Sequence, residues 1–414
     1  MVVFLLAAVL SAQGAPGGGP SPNTGGGKAS GQVVSLDRYG RIVRGGKPVF
    51  VLGWYSDGNL DRLRRIGRSP FNAVLDYGLT ARPIAVTKRY LSEARRLGVA
   101  VIMCVNDVYP SAKYRTRLGP WKGNAAILKG VVETFRDDPA VLAWYNNDEL
   151  PFKLADEARS YYRTIKRLDP NHPQLMVHYK KGGLRAFEGA ADIFGLDHYP
   201  IPKSGPVSVA EALDRARSEV KPPAPVWAVL QDFAWYQHRK PEEPVVPGDF
   251  DTPRARLPTP GEWKAGRPPS REEVRAMTYL ALVHGAQGIL YWCLYNLDYL
   301  PDRAERWEDA CAIAREIMAL EEVLLAPGGR RVAWSSSAIH ALRKDYGGDA
   351  YILAVNASSE PVRARLKGFP RAVSKAQVLF EKRKVGVSGG VLTDFFPPFG
   401  RHVYRMALHN SETP

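Results

Sequence analysis

Two adjacent carboxylates, Asp148 and Glu149, close an apolar and aromatic run that begins at Val141, just ahead of Pro151. Burying a carboxylate is costly, so a strand carries two of them where its end meets a cleft, a partner or a substrate. Paired carboxyls can do general acid–base work or stabilise a developing cation, and glycosidic-bond hydrolysis needs little else. Asp76, Asp197 and Asp232 close other apolar runs, and Asp197 and Asp232 are the candidates for a second catalytic carboxylate beside Asp148 and Glu149. Similar run ends carry Trp54, Tyr55, Asn106, His178, Tyr199, Gln231, Trp292 and Asn296. Aromatic faces stack on sugar rings, and amides, imidazoles and hydroxyls bond sugar hydroxyls, so these and Asp76 form a candidate substrate-binding set.

The elements that must position them alternate along the chain. Strand-like runs cover 49–54, 71–76, 99–105, 141–147, 174–179, 192–197, 226–231 and 288–295. Helical patterning fills 84–97, ending at Gly98, a natural C-cap, and 155–168, which Pro170 stops. Further helices are expected at 209–220, 271–284 and 304–325. Strands alternating with helices predict an α/β chain folded as a (β/α)8 TIM barrel over residues 32–328, with active residues at strand C-terminal ends. A doubly wound nucleotide-binding sheet would show G-x-G-x-x-G after its first strand, and Gly53–Asp57 offers none. An N-terminal β-hairpin over 33–43 precedes the barrel. The Pro-rich insertion 234–269 follows a strand end and should overhang the catalytic face. After Pro327-Gly328-Gly329, short alternating runs predict a small antiparallel, β-sandwich-like C-terminal domain over 329–410.

Composition bounds the class. With 45% hydrophobic and 24% charged residues in 414, the chain is ordinary globular protein with room for one large and one smaller domain. The formal charge of +15 favours acidic partners, but basic residues are scattered through helices, and no nucleic-acid module is visible. The apolar run Val2–Leu10 before Ala12-Gln13-Gly14 reads as a signal peptide over 1–14, followed by a flexible Gly/Pro-rich linker over 15–31. The expected location is therefore secreted or periplasmic, with no membrane span. Cys104, Cys293 and Cys311 are odd in number and read as buried free thiols.

Other chemistries lack their residues. No Lys stands at a strand end for a Schiff base, no G-x-S-x-G elbow occurs, and the first strand has no His-x-His of a barrel metallohydrolase. No cofactor is expected. The segments 50–55, 141–149, 168–173, 191–200 and 285–292, in that order, resemble a barrel glycoside hydrolase of the large clan of retaining β-glycosidases. The resemblance implies that Glu149 is the general acid/base, on the fourth strand, where Asp148 replaces the clan's Asn. At the clan's seventh-strand nucleophile position stands Gln231, an amide that cannot attack. Three routes stay open. Asp232 or Asp197 supplies the second carboxylate; or a substrate 2-acetamido group does, held by Asp148, as in hexosaminidases with a similar Asp-Glu pair; or the barrel only binds sugar, docking on acidic cell-wall or matrix polymers. An oligo- or polysaccharide is the expected partner.

Overall fold

The computed structural model describes residues 34–108, 119–238, 258–367, 369 and 373–408; the expected signal peptide and linker lie outside the described residues. Eight strands close into a parallel barrel: β4 Val51–Ser56, β5 Ala73–Asp76, β6 Ala100–Cys104, β7 Val141–Asp148, β8 Gln174–Val177, β9 Ile193–His198, β10 Val226–Gln231 and β11 Gly288–Trp292, with β11 returning to β4. All eight runs expected from the sequence are barrel strands. Ahead of them, β1 Val34–Leu36, β2 Ile42–Arg44 and β3 Lys47–Val49 form a three-stranded antiparallel sheet.

Side-chain alternation sorts the barrel into an inside and an outside. Inside, Val51, Tyr55, Leu75, Ile102, Tyr145, Leu175, Val177, Val229 and Leu290 fill the lumen. Outside, Leu52, Trp54, Val74, Val101, Met103 and Trp144 meet the surrounding helices. Helices Ile84–Leu97 and Ala155–Leu168 occupy the expected residues, the first closed by Gly98 in the left-handed region at φ 71. Helix Arg271–Val283 opens with a capping box between Ser270 and Glu273. The expected helix 304–325 is two, Arg303–Met318 and Glu321–Leu325; the fifth strand stops at Val177, short of the expected 179, and the eighth stops at Trp292 because Leu294–Leu297 turns helical.

The tail is one eight-stranded antiparallel sheet in the order β12-β13-β14-β19-β16-β17-β18-β15. Its strands are β12 Arg330–Arg331, β13 Ile339–Tyr346, β14 Asp349–Asn356, β15 Val362–Lys367, β16 Lys375–Leu379, β17 Arg383–Ser388, β18 Val391–Phe396 and β19 Arg401–Ala407. A bridge from Trp334 to Leu366 joins its two edges, so the sheet curls round a core that includes Trp334, Ile352, Phe396 and Tyr404. Leu353, Val355 and Val403 face the other way and join the helix-side core of the barrel. All three cysteines are buried, and none of them forms a disulfide. No helix among the described residues is long and apolar enough to cross a membrane.

Candidate active site

At the C-terminal end of the barrel lies a cavity of about 570 Å³ lined by Tyr55, Tyr77, Asp148, Glu149, Val177, Tyr179, Asp197, His198, Tyr199, Phe233, Trp235, His238 and Trp292. The local fold of β7 explains how two neighbouring carboxyls both reach it. In a plain strand Tyr145 and Asp148 would point to opposite faces. The register against β8 shifts between Tyr145 and Asn147, an irregularity of the β-bulge kind that re-aims the side chains beyond it. Asn146 anchors that stretch by donating to Gln174 Oε1 at 2.8 Å and to the Ala190 carbonyl at 2.9 Å. Tyr145 and Asp148 consequently share the lumen side, and the Tyr145 hydroxyl donates to Asp148 Oδ1 at 2.6 Å. Tyr77 donates to Oδ2, also at 2.6 Å.

Glu149 comes next, in the left-handed region at φ 50, a conformation that costs a non-glycine residue about 1 kcal/mol or more. Its amide is tied to the Val177 carbonyl at 2.9 Å, and its side chain is exposed to the cavity. Across the floor, Asp197 on β9 is buried. Burial, then a hydrogen bond shared with Glu149, then the charges of Glu149 and Asp148 push the Asp197 carboxyl well above the usual carboxylate range. Burial also pushes Asp148 up to about 6, with the two tyrosine hydroxyls pulling it down and the Glu149 charge adding to the rise. Glu149 thus acts on both Asp148 and Asp197, and those two carboxyls hold their protons to higher pH than usual.

Aromatic rings wall this cluster. Tyr55 and Trp292 meet at 5.0 Å between centroids, and Tyr77 and Trp292 at 5.6 Å. On the other side Tyr199 packs edge-on against Phe233 at 5.1 Å, and Phe233 against Trp235 at 5.1 Å. Trp235 and His238 belong to the insertion after β10, whose described part does overhang the strand ends; residues 239–257 lie outside the described residues.

Of the sequence candidates, Tyr55, Asp148, Glu149, Asp197, Tyr199 and Trp292 line the cavity; the others do not. Asp232 faces a separate cavity beside Arg306, at 3.6 Å, with Asp302 and Asp309 nearby, and burial pushes it up to about 6. Gln231 is fully buried and clamps the backbone of Ile201, accepting from its N–H and donating to its carbonyl at 2.8 Å each. Trp54 is on the outer face of β4, packed against Phe71, Tyr291 and Trp307. Asp76 likewise points outward, accepting from the Gly78 amide at 3.1 Å, with Tyr90 beside it. Asn106 accepts from the Cys104 thiol at 2.7 Å. His178 and Asn296 stand behind the wall as supports: His178 reaches the Leu150 carbonyl at 3.2 Å, just past Glu149, and Asn296 holds His238 at 2.6 Å. Tyr145, Phe233, Trp235 and His238 carried no sequence signal beyond their aromatic or polar type. Tyr77 and Tyr179 were legible only as residues next to a strand end.

Among the described residues no group of three or more His, Cys, Asp and Glu is arranged to hold a metal ion. No protein-family model and no curated protein sequence matches the chain. Solved structures do. An Anoxybacillus alpha-amylase aligns with a TM-score of 0.57 at 12% identity, over 88% of this chain and 98% of that one. A protein described as a glycoside hydrolase gives 0.58 at 14%, over 93% and 98%. A glycoside hydrolase family 5 protein from Bacteroides vulgatus gives 0.56 at 14%, over 91% and 93%. The shared feature at these identities is the fold, a (β/α)8 barrel that recurs among glycoside hydrolases.

Proposed function

We propose that the chain is an exported glycoside hydrolase that cleaves an oligo- or polysaccharide, with Glu149 as general acid/base and Asp197 as its partner carboxylate. The observation that carries this reading is the contact between Glu149 and Asp197 in an aromatic-walled cavity at the catalytic end of the barrel. The proton that the pair shares passes to Glu149, which is open to the cavity and delivers it to the glycosidic oxygen as the bond breaks, leaving Asp197 ionised. Asp197 stabilises the oxocarbenium-like centre and forms the glycosyl ester; water activated by Glu149 then releases the sugar. Carboxyls near enough to share a hydrogen bond lie closer to the roughly 5–5.5 Å of retaining enzymes than to the 6.5–9.5 Å that an inverting water needs, so retention is the expected outcome once the sugar enters between them. Tyr55 and Trp292 offer the stacking faces. Barrels of similar fold solved with maltose or maltotriose bound support an oligosaccharide as the substrate class. Export rests on the apolar run Val2–Leu10.

The test is hydrolysis of a broad glycan panel by wild type, Glu149→Gln and Asp197→Asn, with the anomer of the first product followed by NMR. Each substitution should cost about three orders of magnitude or more in kcat, because each removes a group that acts in the transition state. Full activity of Glu149→Gln would overturn the assignment. Saturable glycan binding by wild type without any new reducing ends would favour the sugar-binding reading instead.

The clamp on Asp148 favours a second reading. Both its oxygens are held by tyrosine hydroxyls beside the aromatic wall, a rigid carboxyl suited to orienting a substrate 2-acetamido group. In that scheme N-acetylated sugars are hydrolysed, the matching 2-hydroxy sugars are not, and Asp197→Asn retains most of its activity.

A further inference from the structure

A larger cavity, of about 900 Å³, lies at the opposite end of the barrel, where the N-terminal sheet, the helix Val207–Glu219 and the tail meet. Among the described residues its charged lining is five cations, Arg38, Arg41, Arg217, Arg331 and Lys344, against one carboxylate, Asp214. Two of the cations are already matched: Arg331 by Asp214 at 2.8 Å, and Arg41 by Asp37 at 2.6 Å. Arg38, Arg217 and Lys344 have no carboxylate partner among the described residues.

Lys344 is the strongest indication. Only 8% of it is exposed, on β13, a level of burial that lysine rarely tolerates without an opposite charge. Its ammonium has three donors, and the described residues give it one acceptor, the Leu324 carbonyl at 2.7 Å. Burial, and next the nearby Arg41, push its amine down to about 8, so its surroundings disfavour the charge it carries. Arg38 is free to swing inward, since its contacts are with the hydroxyl of exposed Tyr39 at 2.7 Å and with that residue's ring. An anion in this space would offset three unmatched positive charges at once.

We propose that this cavity binds an oxyanion, a sulfate or phosphate group either free or carried by a sugar, with Lys344 at its base and Arg38 and Arg217 on its rim. The site is independent of the chemistry at the other end of the barrel. Guanidinium forks and an ammonium point charge together match such a group, the forks by paired hydrogen bonds and the ammonium by charge.

Calorimetry in low-salt chloride buffer tests it, with sodium sulfate, sodium phosphate, glucose 6-sulfate, glucose 6-phosphate and plain glucose as probes. Wild type should bind at least one anion saturably at one site, and glucose not at all. Lys344→Met should weaken binding tenfold or more, and Arg38→Ala severalfold. Lys344→Met should also melt at or above the wild-type temperature in chloride and lose the rise that the anion gives wild type, which a merely structural lysine would not do. Should Lys344→Met not fold, the Arg38→Ala result decides. Sugar-borne anions binding at least tenfold tighter than free ones would uphold the site as one for acidic sugars; equal affinities would uphold it as a free-anion site. No saturable binding of any anion, or variants that bind like wild type, would overturn the proposal. Glu149→Gln should bind the anion as wild type does, which separates this site from the hydrolase reading.

Discussion

Ionising Asp148 works against the fold, because burial comes first among the causes that push its carboxyl up to about 6, and Glu149 adds to the rise. A carboxyl whose folded pKa lies above its unfolded one, near 3.9, gives stability that is complete below about pH 4 and lost as the pH rises through about 6. Asp148 keeps part of its surface open to the cavity, so the loss is roughly 1–2 kcal/mol. Asp148→Asn should therefore raise Tm by a few degrees at pH 8 and change little at pH 4, while lowering turnover; a lower Tm at pH 8 would refute this. At the residue scale, what the sequence could not provide was side-chain direction. Tyr55 and Trp54 are neighbours at one strand end, and only the face each occupies makes the first a cavity wall and the second core. The irregularity in β7 reverses that parity for Asp148, and nothing in the order of residue types announces it. Gln231 was legible as a departure from the glycosidase pattern. Its bonds to Ile201 make it a backbone clamp.

Elements were more legible than directions. A buried parallel strand reads as a short apolar run, so β4 to β11 stood out, and Gly98 marked the end of its helix. In the tail, β17 and β18 give a weaker signal because Lys384, Gly386 and Asp394 interrupt their apolar positions, and half of each strand faces water. One junction between elements carries a pH dependence. His284, capping the helix Arg271–Val283, meets His340 of β13 at 2.8 Å and Asp214 at 2.9 Å, with Arg331 at 3.1 Å and Arg217 on the His284 carbonyl. Burial lowers both imidazoles, with the hydrogen bond to Asp214 opposing this at His284 and the charge of His284 adding to it at His340. A histidine whose folded pKa is depressed contributes stability that is present above its unfolded value, about 6.5, and is lost as pH falls. Wild-type Tm should drop between pH 7.5 and 5 by more than that of His340→Asn, which cannot add the second positive charge. Parallel pH profiles for the two proteins would count against this junction as the cause.

Across the whole molecule, barrel and tail form one compact unit from Gly31 onward, and a buried ionic link shows why. Arg401 of β19 pairs with Glu316 of the helix Arg303–Met318, while Glu381 approaches Arg401 at 3.0 Å and Tyr279 donates to Glu316 at 3.0 Å. Arg401 and Glu316 are about nine-tenths buried, so removing one partner strands the other's charge away from water. Breaking such a pair typically costs about 3–5 kcal/mol, whereas replacing both partners with apolar groups of similar size is often close to neutral. Arg401→Met alone should thus lower stability by roughly 3 kcal/mol, less whatever Arg275, at 3.8 Å, still offers Glu316. Pairing it with Glu316→Met should recover most of that loss. The expected denaturation of wild type is one transition seen alike by tryptophans of the barrel, such as Trp144, and by Trp334 of the tail, because ten residues of the helix between them, Arg271–Val283, are buried. Arg401→Met should lower that single midpoint. If it instead splits the curve into an early tail transition and an unchanged barrel transition, the tail is a separately folding cover, and the ionic link docks it without contributing to the barrel's own stability.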